Sequence, residues 1–131
     1  MVHVGDLGRG TVHVSGSGSL TVDMNLVLSN SVAEASLLKL TVIGDTPPTV
    51  AVAGSLMVRD GAKLEVDVSD FTTTDVWTKL VSCSSRDGDF AAKDVKVISD
   101  GVRGSLVFDR ASDGTGSIWW YRPKGTTVVL R

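Results

Sequence analysis

Apolar and polar residues alternate along most of this chain, in short segments that end at glycine-containing turns. The stretch 56–68 shows the pattern most clearly, as two short strands joined by a turn at residues 59–62. Its inward positions would be Leu56, Val58, Leu64, Val66 and Val68. A period of two residues is typical of β-strands that bury one face. The pattern therefore predicts many short strands that share one core.

The same alternation predicts strands at 11–14, 20–28, 39–43, 49–53, 76–83, 95–98, 105–109, 118–121 and 126–130. In the segment 20–28, Met24 falls on the inward side together with Leu20 and Val22. Residues 32–38 have some helical character but are too few for a stable helix, so we expect a loop or a single turn there. Residues 84–89 are also expected to form a loop.

Composition supports an all-β chain with a single domain over residues 1–131. Its apolar fraction is 42%, which is ordinary for a folded domain, but aromatic residues make up only 5%. The aromatic residues all lie in the second half, at Phe71, Trp77, Phe90, Phe108, Trp119, Trp120 and Tyr121. This division predicts thin aliphatic β coils over residues 1–70 and an aromatic-rich capping region over 71–131.

A Gly-Ser pair followed by an aliphatic residue recurs at 18–22, 54–58, 104–108 and 116–120. The spacing between these copies is irregular. Irregular copies suit a β-solenoid, whose coils accept loops of different length, and they equally suit a β-sandwich of hairpins. Periodicity leaves both folds open.

Three segments together resemble a known family. They are the alternating strand 64–68, the segment 77–83 (Trp-Thr-Lys-Leu-Val-Ser-Cys), and Gly88-Asp89-Phe90. In this order they are similar to the last coils of the passenger domain of bacterial autotransporters and related giant surface proteins. The resemblance covers about residues 50–131, with the closing hairpins at 106–108, 118–120 and 128–130. The chain departs from the family at Asp87, where an apolar residue is usual, and in having no membrane β-barrel after it.

The resemblance implies a right-handed parallel β-helix, or solenoid, whose end is covered by a C-terminal antiparallel cap. It implies a non-enzymatic structural or adhesive module of an extracellular or cell-surface protein. Residues 1–5 lack the basic start and apolar run of a signal peptide, so we expect the chain to be part of a longer precursor. An open solenoid end exposes backbone edges, which predicts self-association through the N-terminal coils.

Candidate chemical groups are few, and we expect no enzyme activity, no cofactor and no metal site. His3 and His13 lack the further ligands that a metal needs, and the carboxylates Glu65 and Asp67 fit a solvated strand face. Cys83 is the single cysteine and fits an inert strand thiol. A net charge of −2 without a basic run argues against nucleic acid, and no apolar run is long enough to span a membrane.

The cluster Trp119-Trp120-Tyr121 supports an alternative function. Alternation puts Trp119 and Tyr121 on one face and Trp120 on the other. The outward pair beside Arg122 could stack on a sugar ring or anchor a partner protein. The alternative is thus a carbohydrate-binding β-sandwich, whose partner would be a glycan or a host or cell-surface protein. Burial of the cluster inside the cap is the competing interpretation.

Overall fold

The computed structural model describes residues 2–4, 10–28, 36–59, 62–72, 76–99, 102–108 and 117–122. These residues form eleven β-strands and one 3-10 turn (Ala92–Asp94). The strands are β1 (Val2–Val4), β2 (Gly10–Ser15), β3 (Ser19–Val22), β4 (Leu26–Leu28), β5 (Ser36–Gly44), β6 (Thr49–Val58), β7 (Lys63–Phe71), β8 (Trp77–Asp87), β9 (Val95–Ile98), β10 (Ser105–Phe108) and β11 (Ile118–Tyr121). The prediction of an all-β chain is confirmed.

The strands divide between two sheets, and most of them pair in parallel. The first sheet has the order β1-β4-β6-β8-β11-β10, with β3 pairing with β6 beside β4. The second sheet has the order β2-β5-β7-β9. From β1 to β9 the chain passes alternately through the first and the second sheet, with β3 and β4 together forming one passage through the first. Among the described residues, the two antiparallel pairings are β8 with β11 and β11 with β10.

Inward residues stack in columns across these ladders. In the second sheet, Val12, Leu38, Leu64 and Val95 follow one another as register partners. In the first sheet, the column is Leu20, Val50, Val81 and Ile118. The inward residues of both sheets belong to one hydrophobic core. Neighbours in a column lie 26 to 37 residues apart in the chain, so the core is built almost entirely from non-local contacts.

The inward positions predicted for the stretch 56–68 are confirmed. Leu56, Leu64, Val66 and Val68 are fully buried, and Val58 is 5% exposed. The two strands of this stretch lie in different sheets, since Leu56 and Val58 belong to β6 and the others to β7. The predicted boundary between residues 70 and 71 falls inside β7, where Phe71 is buried in the same core.

Met24 does not face inward as the alternation predicted, since 60% of it is exposed. The chain bends at residues 23–25, which divides the predicted nine-residue strand into β3 and β4. Two hydrogen bonds from β6 hold the bend. The Gly54 amide donates to the Met24 carbonyl at 2.7 Å, and the Ser55 amide donates to Asn25 Oδ1 at 2.8 Å. A bend breaks the two-residue period, and Met24 therefore falls on the solvent side.

Two segments predicted as loops are β-strand instead, because each pairs with an adjacent strand of its sheet. Residues 36–38 belong to β5, because Leu38 lies between Val12 and Leu64 in a parallel ladder. Residues 84–87 belong to β8, which pairs with the second half of β6. In both cases an available parallel ladder outweighs the local polar or helical composition. The strand predicted at 126–130 lies outside the described residues.

We predict that two substitutions to alanine will change the free energy of unfolding by very different amounts. Leu64→Ala empties a fully buried position in the middle of the second sheet and should lower the free energy of unfolding by about 2 to 5 kcal/mol. Met24→Ala alters an exposed side chain and should change it by less than about 0.5 kcal/mol. Urea denaturation of both variants measures the difference. A large loss for Met24→Ala would mean that this side chain packs in the core.

Candidate functional site

The three aromatic residues of β11 divide between the two faces of the first sheet as predicted. Trp120 is fully buried in the core, opposite Thr78 of β8. Trp119 and Tyr121 are half-buried on the outer face. Trp120 therefore cannot belong to a binding surface, which corrects its place in the predicted carbohydrate-binding cluster.

Trp77 of β8 joins Trp119 and Tyr121 on the outer face. Its ring centre lies 4.7 Å from that of Tyr121, with the planes tilted by 45°, and 6.1 Å from that of Trp119, with the planes nearly perpendicular at 86°. The antiparallel register explains the contacts, because Tyr121 is directly opposite Trp77. Edge-to-face and tilted pairs are the favoured geometries of aromatic rings.

Lys79 completes this group, which we call the outer aromatic cluster (Trp77, Lys79, Trp119 and Tyr121). It is the register partner of Trp119, and its Nζ lies 4.9 Å from the centre of that ring, within cation–π range. The sequence analysis missed Trp77 and Lys79. Their two-residue spacing on one strand was the available signal, but the pairing of β8 with β11 was needed to bring them to Trp119.

Arg122 follows β11 directly, and its backbone amide donates to the Val76 carbonyl at 2.8 Å. This bond extends the β8–β11 ladder by one residue beyond Tyr121 and fixes the chain beside the cluster. The cluster thus offers aromatic rings and the cationic Lys79 side chain. Such a surface can bind by stacking and cation–π contacts.

The outward carboxylates of β7 are held by local partners. Glu65 forms an ion pair with Lys39 of β5, with 3.3 Å between Oε2 and Nζ. Asp67 Oδ1 accepts hydrogen bonds from the Ser69 hydroxyl at 2.6 Å and the Ser69 amide at 3.0 Å. These two bonds, with a smaller contribution from the charge of Lys39, lower the pKa of Asp67. A carboxyl group kept ionised in this way is a poor proton donor, so Asp67 does not fit the general acid of a glycosidase.

The remaining candidates for chemistry are His13, Cys83 and His3, and they lie on three different strands. His13 is exposed on β2, and its Nε2 lies 2.9 Å from Thr41 Oγ1. Cys83 is half-buried on β8 and forms no disulfide, while the side chain of His3 is outside the described part of the structure. Within the described residues, no group of three histidine, cysteine or acidic side chains could hold a metal ion. That same part of the chain contains no helix of the length and apolar character needed to cross a membrane.

A buried arginine, which the sequence analysis also missed, lies near the end of β8. The Arg86 side chain is only 8% exposed and forms an ion pair with Asp89 at 2.6 Å. Its Nε is also 3.0 Å from Asp89 Oδ1, and its guanidinium carbon lies 5.4 Å from the centre of the Phe108 ring in β10. Arg86 therefore ties β8 to the turn at Gly88–Asp89 and to the last strand of the first sheet. Its position two residues before Gly88 gave no indication of this contact.

Comparison with known proteins found no match to a family model, to a curated protein or to a solved structure. The function is therefore inferred from the residues and contacts described above.

Proposed function

We propose that this chain is a non-enzymatic structural or adhesive module, the C-terminal end of an extracellular β-solenoid. In this proposal the fold is a right-handed parallel β-helix closed by an antiparallel cap. The observation that carries it is a stack of parallel ladders whose first sheet ends in two antiparallel pairings, of β8 with β11 and of β11 with β10. We call each passage of the chain through both sheets a rung.

The strand pairing supports the solenoid over the β-sandwich of hairpins. A hairpin joins strands that are adjacent in sequence, and it always gives an antiparallel pair. Here β2, β5, β7 and β9 pair in parallel although each is separated from the next by one or two strands of the other sheet. Register-matched contacts also recur once per rung, as in the contact of Ser55 Oγ with Ser85 Oγ at 2.5 Å, 30 residues apart. Stacked rungs of similar length produce such ladders.

The change of strand direction at β11 supports the cap. β11 runs antiparallel to β8, so the chain cannot continue the parallel stack on that side of the first sheet. Trp120 fills the end of the core under this strand. Gly104, just before β10, packs on it so closely that an added Cβ would lie 2.5 Å from Trp120 Cζ2. A large aromatic side chain covers more apolar surface than the valines and leucines of the earlier rungs, which suits the closure of a solenoid.

The proposed location at the cell surface rests on the resemblance of segments 64–68, 77–83 and 88–90 to the passenger domains of autotransporters. A repetitive β stack held by aliphatic columns and short polar ladders is suited to an extended scaffold. Its outer faces are free to contact other molecules, which is the basis for the adhesive role.

We predict that a methyl group at Gly104 will open the proposed cap. In Gly104→Ala the added Cβ meets both Trp120 and the Tyr121 carbonyl, and the backbone φ of +150° is unfavourable for alanine. The expected loss of stability is about 2 to 4 kcal/mol. Hydrogen exchange should show faster exchange in β11 and then in β8 and β6, because removing a cap exposes the rungs beneath it.

Gly16→Ala is the matched control for this experiment. Gly16 also has a positive φ, +61°, but nothing lies within 4 Å of its added Cβ, so only about 1 kcal/mol of backbone strain is expected. Faster exchange confined to residues 102–108 and 117–122 in Gly104→Ala, with β8 unchanged, would show that these strands do not cap the stack.

The surface location predicts that the chain is reached by protease on intact cells. An antibody against the chain should detect it in the native host until external protease is added, and the signal should then fall. A periplasmic or cytoplasmic reference protein should survive the same treatment. Survival of the chain until the cells are lysed would contradict the location.

The outer aromatic cluster supports the alternative function of carbohydrate binding. Trp77, Trp119 and Tyr121 are partly exposed and lie together on one outer face, with Lys79 and Arg122 nearby. Tryptophan and tyrosine rings offer apolar faces on which the C–H face of a sugar can stack, while cationic neighbours can contact acidic sugars. Of the predicted site residues, Trp119 and Tyr121 belong to the outer aromatic cluster, and Arg122 follows them directly in the chain.

This alternative predicts binding on a glycan array that depends on the exposed rings. Trp119→Ala and Tyr121→Ala should each weaken binding about tenfold, since losing one aromatic stacking contact costs about 1 to 3 kcal/mol in the case of nucleobases. Phe90→Leu, which alters an aromatic residue outside the cluster, is the control and should leave binding unchanged. A silent array, or unchanged binding by both alanine variants, would exclude the alternative.

A further inference from the structure

The outer aromatic cluster continues onto β10 through the register of the last pairing. Ser105 is directly opposite Tyr121, and Val107 is directly opposite Trp119. Directly opposed residues of an antiparallel pair share one face of the sheet, whereas Leu106 between them packs against the core. Two rows of outward side chains therefore cross β8, β11 and β10. The first row consists of Trp77, Tyr121 and Ser105, and the second of Lys79, Trp119 and Val107.

Both rows are accessible from solvent and long enough to contact more than one group of a ligand. Neighbouring strands lie about 4.8 Å apart, so a row across three strands extends about 10 Å. Ser105 is exposed, and Trp119, Tyr121 and Val107 are each half-buried. A ligand that stacks on a ring of β11 can therefore also contact side chains of β8 or β10.

Charge is distributed unevenly along the second row. At its β8 end, Lys79 Nζ lies 4.9 Å from the centre of the Trp119 ring. At its β10 end, Val107 is apolar, and Ser105 beside it in the chain direction of β10 is uncharged. A ligand on Trp119 therefore has a positive charge on one side and neutral side chains on the other.

This charge distinguishes between the ligands that aromatic clusters bind. Tryptophan and tyrosine rings attract quaternary ammonium groups, and they also stack on sugars. A second cation at Trp119 would be repelled by Lys79, because like charges at short distance destabilise each other. A carboxylate would instead accept charge-assisted hydrogen bonds from the lysine ammonium group, which has three N–H donors. The ligand that fits best therefore combines a ring with a carboxylate.

We propose that the outer aromatic cluster selects acidic sugars, whose carboxylate binds Lys79 while the sugar ring stacks on Trp119. The next sugar of the ligand follows the row toward Val107. The proposal rests on the alternative function of carbohydrate binding, and it adds the class of sugar and the residue that selects it. Stacking on Trp119 contributes to the binding of every sugar, whereas Lys79 contributes only when a carboxylate is present.

Matched pairs of oligosaccharides test this selection. A glycan array is printed with oligosaccharides of uronic and sialic acids and with the carboxyl-reduced form of each, which keeps the rings and loses the charge. The best-bound pair is then titrated by calorimetry. The acidic member should bind the unchanged chain about tenfold more tightly than its reduced form. Added salt should lower this ratio, because it screens the attraction between exposed charges.

Substitution of Lys79 should change the ratio of the two affinities. Lys79→Gln should bind both members equally, Lys79→Arg should keep the preference for the acidic member, and Lys79→Glu should prefer the reduced member. The affinity of Lys79→Gln for the reduced member should stay unchanged, which separates a direct contact from support of the Trp119 ring. Trp119→Ala should weaken the binding of both members.

Lys63→Gln is the matched control, because Lys63 is an exposed lysine on β7 of the second sheet. It should leave the ratio of affinities unchanged. Tetramethylammonium, a cation that aromatic rings attract, should not compete with the acidic member. Equal binding of both members by the unchanged chain, a preference that survives in Lys79→Gln, or competition by tetramethylammonium would overturn the proposal.

The selection of acidic sugars fails separately from carbohydrate binding itself. If both members bind equally and Trp119→Ala weakens both, the cluster binds sugars and only the selection by Lys79 is wrong. An array that stays silent for the acidic and the reduced forms overturns both proposals.

Discussion

The in-register stacking of inward aliphatic residues is the constraint on which the rest of the structure depends. Each inward leucine or valine of one strand lies over the corresponding residue of the next parallel strand, as Leu38 lies over Leu64. Full burial of such a side chain contributes about 1.5 to 3 kcal/mol relative to exposure. Stacked partners are about 30 residues apart in the chain, and the chain between them passes through the other sheet. Stacking in one sheet therefore requires the intervening strand of the other sheet to be in place. The two sheets therefore form together.

The two ends of the stack differ in how this core is closed. Near the C-terminal end, β11 runs antiparallel to β8. Trp120 fills the core there, and Arg86 forms an ion pair with Asp89. In the first strands of the two columns, Val12 and Leu20 are only half-buried. This difference between the two ends underlies the proposed capping role.

The outer faces of the two sheets carry different contacts. Along the second sheet, polar residues of successive strands pair with one another, as His13 does with Thr41 and Lys39 with Glu65. These short contacts satisfy the side chains locally. On the first sheet, the ring contacts of the outer aromatic cluster join β8 to β11, so the cluster stabilises this antiparallel pairing even without a ligand.

The sequence by itself determined the strand class, the inward residues of 56–68 and the opposite faces of Trp119 and Trp120, because a period of two residues fixes which side chains share a face. Only the tertiary structure decided which strands pair, since parallel partners lie about 30 residues apart and leave no local signal. For the same reason, three features could not be predicted from the sequence. They are the exposure of Met24, the extension of β8 to Asp87, and the contact of Trp77 and Lys79 with the aromatic pair. Alternation is a property of each segment, whereas bends, register and neighbours depend on the strand stacked beside it.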